Sequence, residues 1–342
     1  ITQTPVGCST AGISAYFCEY VTNVLLKDGY LGASEDEARD ALRRGGLTIT
    51  TTLDPAKQQA AYDSVTEALP IVQERYRPRE DETGLDSALT SIEPGSGNVV
   101  AMVQNTNYGN SVPEDPRATK VNYNVDKAYG GGTGFQTGST FKAFVLTQWL
   151  IDGHTLSETV DGTNNQKFAF NRWRARCEPD SMSAYSPKNL EGAGGRAMSI
   201  MDATKVSANL AFVNMATQMD LCDLADTTAR MGVHVGNGVV GTANPALAHQ
   251  ADNQLYISPG MVLGSNSIAP MTMAAAFATF ANNGVFCEPR AIVAISDRDG
   301  NAMPVKDVQC SVAFSPEVAA GVNHALQQVI NGGGNPTGIR AR

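Results

Sequence analysis

The segment that most constrains the fold follows a glycine-rich stretch, residues 130–138, and is apolar on almost every face of a helix. Its apolar residues are Phe141, Phe144, Val145, Leu146, Trp149 and Leu150. A helix that is hydrophobic all round has to lie inside a core. We therefore expect a domain large enough to bury it, which a chain of 342 residues can build.

Ser139 and Lys142 stand at the first turn of this predicted helix. At positions i and i+3 both side chains lie on one face, about 5–6 Å apart at Cβ. A serine hydroxyl is a poor nucleophile without a neighbouring base, and a partly buried lysine keeps part of its population neutral. The spacing predicts Ser139 as a nucleophile and Lys142 as its proton acceptor. A simpler alternative is an N-cap serine followed by a solvated lysine.

Composition narrows the class of protein. The net charge of −9, without a block of Lys or Arg, argues against a nucleic-acid partner. No apolar run is long enough to span a bilayer, and the four histidines form no ligand cluster, so we expect no metal or cofactor. The even number of cysteines favours an oxidising compartment, although buried free thiols are an alternative. Proximity along the chain suggests the pairs Cys8–Cys18, Cys177–Cys222 and Cys287–Cys310.

The order of predicted elements indicates an α+β fold, an antiparallel sheet packed against helices, because strands come first, helices follow and strands return. We expect residues 1–85 to form a small linker or pedestal module and residues 86–342 a second domain. The charged stretch Glu74–Glu82 is the predicted boundary between them. Predicted helices are Tyr16–Leu26, Ser34–Leu42, Pro55–Leu69, Met198–Met219, Pro270–Asn283 and Ser315–Ile330. Predicted strands are Leu47–Leu53, a hairpin of Leu85–Ile92 with Asn98–Val103, and Arg290–Ile295.

A second polar triplet, Ser207-Ala208-Asn209, interrupts the stretch Met198–Met219. Serine and asparagine favour caps and turns over helix interiors, so we expect a helix, a break and a new helix near Leu210. An ordinary helix–turn–helix capped by Ser207 or Asn209 is one interpretation. Combined with Ser139 and Lys142, the triplet completes a mechanism: a second hydroxyl relays protons, and a carboxamide holds the lysine and a substrate amide.

Taken together, Ser139-Thr140-Phe141-Lys142 and Ser207-Ala208-Asn209 resemble the transpeptidase domain of class A bifunctional penicillin-binding proteins. Three further segments resemble that family in the same order: residues 46–54 its interdomain linker, residues 91–103 its first transpeptidase strands, and residues 275–284 its late helix. The resemblance covers nearly the whole chain. It implies the penicillin-binding and serine β-lactamase-like transpeptidase fold.

Two parts of the family pattern are missing from this sequence. The Lys-Thr-Gly motif, which in the family lines the cleft and gives one oxyanion-hole N–H, does not occur before the chain ends at Arg342. The family's glycosyltransferase domain is not in this sequence either, and by the resemblance Ile1 lies near where its linker would begin. We therefore expect a trimmed piece, in which the Lys-Thr-Gly strand either lies on a second polypeptide or has been deleted. We favour the second polypeptide, because losing that strand would leave an unpaired sheet edge.

The resemblance implies a D,D-transpeptidase that cross-links peptidoglycan stem peptides through a serine acyl-enzyme. Ser139 would attack a D-Ala-D-Ala donor, an amine acceptor would complete the cross-link, and β-lactams would acylate the same serine. It also implies the extracytoplasmic face of a bacterial membrane, with an anchor outside this chain. Alternatives are a D,D-carboxypeptidase and a non-catalytic β-lactam sensor or scaffold. A class A β-lactamase is disfavoured, because Ala208 replaces the motif's Asp and residues 210–232 contain no Glu.

Overall fold

The computed structural model describes residues 7–71, 85–178, 182–190, 193–237 and 254–331. The α-helices in these ranges are α1 Ala15–Lys27, α2 Glu35–Arg44, α3 Pro55–Ala68, α4 Lys142–Ile151, α5 Ile200–Lys205, α6 Asn209–Ala216, α7 Leu221–Arg230, α8 Pro270–Ala281 and α9 Pro316–Asn331. The strands are β1 Thr48–Thr51, β2 Ala88–Ile92, β3 Val99–Gln104, β4 Asn122–Asp126, β5 Gly131–Gly132, β6 Phe135–Gln136, β7 Thr159–Asp161, β8 Ala197–Ser199, β9 Ser267–Ile268, β10 Val285–Cys287, β11 Ile292–Ser296, β12 Ala302–Met303 and β13 Cys310–Val312.

The strands pair mainly in antiparallel ladders, which confirms the α+β class. β1, β11 and β12 form a three-stranded antiparallel sheet, and β2 and β3 form the predicted hairpin. Three further pairs are antiparallel (β6–β9, β7–β8 and β10–β13), whereas β4 and β5 are parallel. Every residue of β3 is buried, because α3 packs against β3 while α8 packs against its partner β2.

The helix predicted to lie in a core does so. α4 is buried from Lys142 to Trp149 and packs against α6, α7 and α9. Its Phe144 ring lies 5.2 Å from the Phe141 ring and 5.9 Å from the Phe277 ring, centroid to centroid, both in edge-to-face geometry. This packing fixes the direction of α4 and hence the place of its first turn.

Two predicted helix starts in the N-terminal part are confirmed by their caps. Ser34 Oγ accepts a hydrogen bond from Glu37 N, while Ala33 N donates to Glu37 Oε2. Asp54 Oδ1 accepts from the backbone N–H groups of the first turn of α3. Each cap satisfies N–H groups that have no partner within the helix.

The N-terminal elements share a second apolar cluster with the rest of the chain. It includes Phe17 and Leu25 of α1, Met102 of β3 and Ile292 of β11. In addition, β1 is hydrogen-bonded to β11. The predicted boundary at Glu74–Glu82 lies outside the described residues, so the division into residues 1–85 and 86–342 stays a prediction.

The stretch Met198–Met219 is more broken than predicted. β8 opens it because Ser199 pairs with Thr159 of β7, and α5 and α6 follow with a turn between them. Helix α7 was not predicted, although Asp220 caps it by accepting from Cys222 N. The signal for α7 was an aspartate before an amphipathic run, a weak pattern without its neighbours.

All three predicted cysteine pairs are disulfides: Cys8–Cys18, Cys177–Cys222 and Cys287–Cys310. The last joins β10 to β13 at directly opposed positions. The pairs are typical of a protein that matures in an oxidising compartment. None of the helices in the described part of the chain is long and apolar enough to cross a membrane.

Candidate active site

Ser139 lies on a short 3₁₀ helix, Gly138–Phe141, that leads directly into α4. Ser139 is exposed, whereas Lys142, the first residue of α4, is only 5% exposed. Lys142 Nζ lies 3.1 Å from Ser139 Oγ. The apolar packing of α4 therefore holds a lysine inside the protein while its neighbour one turn earlier faces the solvent.

The backbone of the Ser139 turn is held from behind by Gly264. Gly138 N donates to Gly264 O over 3.2 Å, and Gly264 has a φ of +80°. A Cβ at this position would overlap the backbone N and O of Gly138. Only glycine fits this close approach. This contact could not be predicted from the sequence, since it joins segments far apart in the chain.

Ser207 and Asn209 approach Lys142 from the turn between α5 and α6. Lys142 Nζ donates to Ser207 O over 2.7 Å and to Asn209 Oδ1 over 2.6 Å, and it lies 3.0 Å from Ser207 Oγ. Ser207 has a φ of +55°, a left-handed conformation that is strained for a residue with a side chain. This backbone lets one residue present both its carbonyl and its hydroxyl to the same amine.

The partners of Lys142 Nζ determine where a neutral amine directs its lone pair. Ser207 O and Asn209 Oδ1 can only accept hydrogen bonds, so they take the two N–H groups of the neutral form. The lone pair is left for the hydroxyls of Ser139 and Ser207, which can donate. The arrangement therefore suits proton transfer from a hydroxyl to the lysine.

Burial lowers the pKa of Lys142 from its ordinary value of 10.5 to about 7. Desolvation disfavours the ammonium form, and no carboxylate pairs with Lys142 among the residues that the structure describes. The ring of Phe212 lies 5.4 Å from Nζ and adds to its apolar surroundings. A lysine with such a pKa is a usable base at neutral pH.

The structure thus brings together all four residues predicted for the site. Neither serine is a helix N-cap in the structure: Ala208 occupies that position for α6 and Phe141 for α4, and neither makes a side-chain capping bond. The solvated-lysine alternative is wrong as well, because Lys142 is buried. The catalytic roles of the four residues stay predictions.

Asn189 was not singled out from the sequence, yet it lies beside the site. Asn209 Nδ2 donates to Lys188 O over 2.8 Å, and the next residue, Asn189, accepts from Leu210 N over 2.9 Å. The segment that contains Asn189 falls in none of the predicted helices or strands. Its only sequence signal was an asparagine after Pro187 and Lys188, a pattern that many surface turns share.

The fold and this geometry are typical of serine acyltransferases of the serine–lysine type: a buried amine lies 3.1 Å from an exposed hydroxyl. The chain belongs to the penicillin-binding protein transpeptidase domain family, whose model matches residues 88–341.

Among curated proteins, the chain is 26% identical over 327 residues to penicillin-binding protein 1A of Mycolicibacterium smegmatis, covering 94% of this chain and 35% of that protein. It is 24% identical over 294 residues to penicillin-binding protein 1B of Escherichia coli, covering 84% and 29%. The chain therefore spans about a third of the length of these relatives.

Solved structures share the fold. The PonA1 protein of Mycobacterium tuberculosis in complex with penicillin V matches with a TM-score of 0.61 at 21% identity, covering 91% of this chain and 71% of that one. Penicillin-binding protein 3 of the same organism, complexed with aztreonam, matches with a TM-score of 0.64 at 17% identity, covering 96% and 68%. At these identities the likeness concerns the fold alone.

Proposed function

We propose that this chain carries the acyl-transfer centre of a D,D-transpeptidase that cross-links peptidoglycan stem peptides. The observation that carries the proposal is the position of Lys142 Nζ, 3.1 Å from Ser139 Oγ and 3.0 Å from Ser207 Oγ, in a buried setting that lowers its pKa to about 7. Membership of the penicillin-binding transpeptidase family supports the choice of reaction.

In the acylation step, Ser139 Oγ attacks the carbonyl carbon of the penultimate D-Ala and its proton passes to neutral Lys142. The tetrahedral intermediate collapses as the bond to the terminal D-Ala breaks. The leaving amine takes a proton from Lys142 through the hydroxyl of Ser207. An acyl ester on Ser139 and a free D-Ala result.

In the second step an amine of a neighbouring stem peptide attacks the ester. Lys142 accepts the proton of the incoming amine and passes it to Ser139 Oγ as the ester bond breaks. A peptide cross-link forms and the free serine returns. Asn209 accepts from Lys142 through Oδ1 and would hydrogen-bond the substrate backbone. The backbone N–H of Ser139 supplies one oxyanion-hole donor.

β-Lactams would act as covalent inhibitors by acylating Ser139. The names of the relatives and the penicillin V bound to PonA1 support this assignment. The three disulfides support an extracytoplasmic location, with residues 1–85 as a pedestal for the domain that follows. A second polypeptide with the Lys-Thr-Gly strand gains no support from the described residues and stays a prediction.

The test is labelling with fluorescent penicillin. Ser139→Ala is expected to abolish labelling at an unchanged unfolding temperature, because the nucleophilic oxygen is gone. Thr140→Ala is the matched control: it removes the adjacent exposed hydroxyl and is expected to keep labelling. Persistent labelling of Ser139→Ala, or acyl mass on a peptide without residue 139, would refute the assignment.

The acceptor is tested separately. The acyl-enzyme is formed from a D-Ala-D-Ala donor peptide, and its turnover is measured with and without an added amine, such as a D-amino acid. This comparison separates cross-linking from hydrolysis. A transpeptidase releases the aminolysis product faster than the hydrolysis product when the amine is present. Release of the hydrolysis product alone would favour the D,D-carboxypeptidase. A stable acyl-enzyme under both conditions would favour the sensor.

A further inference from the structure

The segment behind Asn209, Lys188–Leu190, is packed weakly. Lys188 is exposed and Leu190 is 71% exposed. The segment borders a cavity of about 380 Å³ rather than a filled core; its other lining residues are Asn164, Asn165, Ala193 and Gly194. Apolar burial is the usual force that holds a loop in place. Here hydrogen bonds have to supply most of that force.

Asn189 makes those bonds with both ends of its carboxamide. Asn189 Nδ2 donates to Gly162 O and to Asn164 Oδ1, each over 2.9 Å. Asn189 Oδ1 accepts from Leu210 N over 2.9 Å. The side chain therefore ties three separate segments together, among them the first turn of α6.

The bond to Leu210 replaces a helix cap. The first N–H groups of a helix have no partner within it, and the N-cap of α6 is Ala208, whose side chain cannot accept. Asn189 supplies the acceptor from a distant segment. Loss of this bond would leave the start of α6 without that cap, at the residue next to Asn209.

The backbone next to Asn189 also sets which end of Asn209 faces the lysine. Asn209 Nδ2 donates to Lys188 O over 2.8 Å, so Asn209 Oδ1 points to Lys142 Nζ, 2.6 Å away. An amide turned the other way would set an N–H against the donors of Lys142. The orientation of Asn209 thus depends on where Lys188 and Asn189 lie.

We propose that Asn189 is a positioning residue of the acyl-transfer site: it fixes the start of α6 and the carbonyl of Lys188, and through them the orientation of Asn209 toward Lys142. This inference rests on the proposed function, since the effect is expressed in the acylation of Ser139. Asn189 itself makes no hydrogen bond to Ser139 or Lys142 in the described part of the chain.

The experiment measures acylation by fluorescent penicillin on the full chain, resolved into the dissociation constant of the first complex and the acylation rate constant. Asn189→Ala is expected to lower the rate constant about 10- to 100-fold, as displaced catalytic groups do, with little change in the dissociation constant. The fraction of protein that labels at the end point is expected to stay that of the native chain.

Asn105→Ala is the matched control. Asn105 also uses both ends of its carboxamide, accepting from Ser87 N and donating to two backbone carbonyls, but it bonds to none of the four site residues. Its variant is expected to lose stability and keep the native rate constant. Asn189→Asp is isosteric and keeps the oxygen that accepts from Leu210 N, so its rate constant is expected to lie between those of the native chain and Asn189→Ala.

A native rate constant in Asn189→Ala would overturn the inference, and so would a smaller labelled fraction at an unchanged rate constant, which is the signature of a merely structural role. If Asn189→Ala does not fold, Asn189→Asp decides on its own: a native rate constant overturns the inference and a slower one supports it. Failure of the native chain to label would instead count against the proposed function, so the two failures are distinguishable.

Discussion

Lys142 is approached from two sides that are built in different ways. On one side, α4 and the turn before it are positioned by apolar packing, with Phe141 and Phe144 fully buried. On the other side, the turn at Ser207 has a left-handed backbone and is positioned by hydrogen bonds, which it accepts from Lys142 and which Asn209 and Leu210 donate to the segment at Asn189. One side is rigid because it fills a core, and the other because its polar groups have fixed partners.

The difference shows how a site can combine stability with chemistry. Packing of α4 stabilises the whole domain and buries the lysine, which lowers its pKa. The turn at Ser207 carries backbone strain, and together with Asn209 it supplies three of the oxygens around Nζ. We therefore expect changes on the packed side to act mainly on stability, and changes on the polar side mainly on acylation.

The largest effect is expected on the packed side. Phe144→Ala removes a fully buried ring that contacts Phe141, Phe277 and Phe280. The free energy of unfolding is expected to fall by about 3–5 kcal/mol, since the change loses transfer free energy and leaves a cavity. Denaturant unfolding followed by circular dichroism measures it.

Phe135→Ala is the control for that change. Phe135 lies close to the nucleophile turn but is 51% exposed, so its truncation is expected to cost less than about 1 kcal/mol. Equal losses in the two variants would mean that packing does not position α4.

The packed side of Lys142 was easier to predict from the sequence than the polar side. The run from Phe141 to Leu150 indicated a buried helix, and the spacing of Ser139 and Lys142 placed both on one face; both depend on local pattern. Ser207 and Asn209 were ambiguous by themselves and became site candidates only beside the first pair.

The contacts that hold the site were out of reach of the sequence. Gly264 supports the Ser139 turn, and Asn189 caps α6, each from a distant segment. Neither contact leaves a periodic or compositional signal. Helix α7 was missed for a related reason, because its apolar face is recognisable only against α4, on which it packs.

The next largest effect concerns Lys142, where the two sides meet, and is expected in the pH dependence of acylation. Because burial lowers the pKa of Lys142 to about 7 and only the neutral amine accepts the serine proton, acylation is expected to rise as pH increases through 7. At pH 6 the rate is expected to be about one tenth of its plateau. Stopped-flow labelling between pH 5 and 9 measures the profile, with unfolding temperatures recorded at each pH to show that the protein stays folded.

Asn209→Asp sharpens this test. A carboxylate beside Nζ favours the ammonium form, so the midpoint of the profile is expected to move to higher pH. A native rate that still rises about tenfold per pH unit up to pH 9, as the ordinary lysine value of 10.5 would give, would contradict the claim that the packing of α4 makes Lys142 a base at neutral pH.

The smallest effect is expected at Ser207, on the strained side, where the smaller of two side chains is expected to give the more stable variant. Ser207→Gly and Ser207→Ala both remove the hydroxyl that lies 3.0 Å from Lys142 Nζ, so both are expected to acylate more slowly than the native chain. They differ in the backbone: at a φ of +55° glycine is unstrained and alanine is not. The glycine variant is therefore expected to be more stable than the alanine variant by about 1 kcal/mol, after allowing for the greater freedom of glycine in the unfolded chain.

Denaturant unfolding of the two variants isolates the strain, because the loss of the hydroxyl is common to both. Equal stability would show that the strain of the left-handed turn does not exceed the entropic cost of glycine in the unfolded chain, and would contradict the expected difference. A glycine variant that is more stable than the alanine variant, yet acylates no faster than it, would show that relief of the strain does not restore acylation. The strain would then be retained for the position that it gives to the hydroxyl and carbonyl of Ser207, which is where the polar side departs from the packed one.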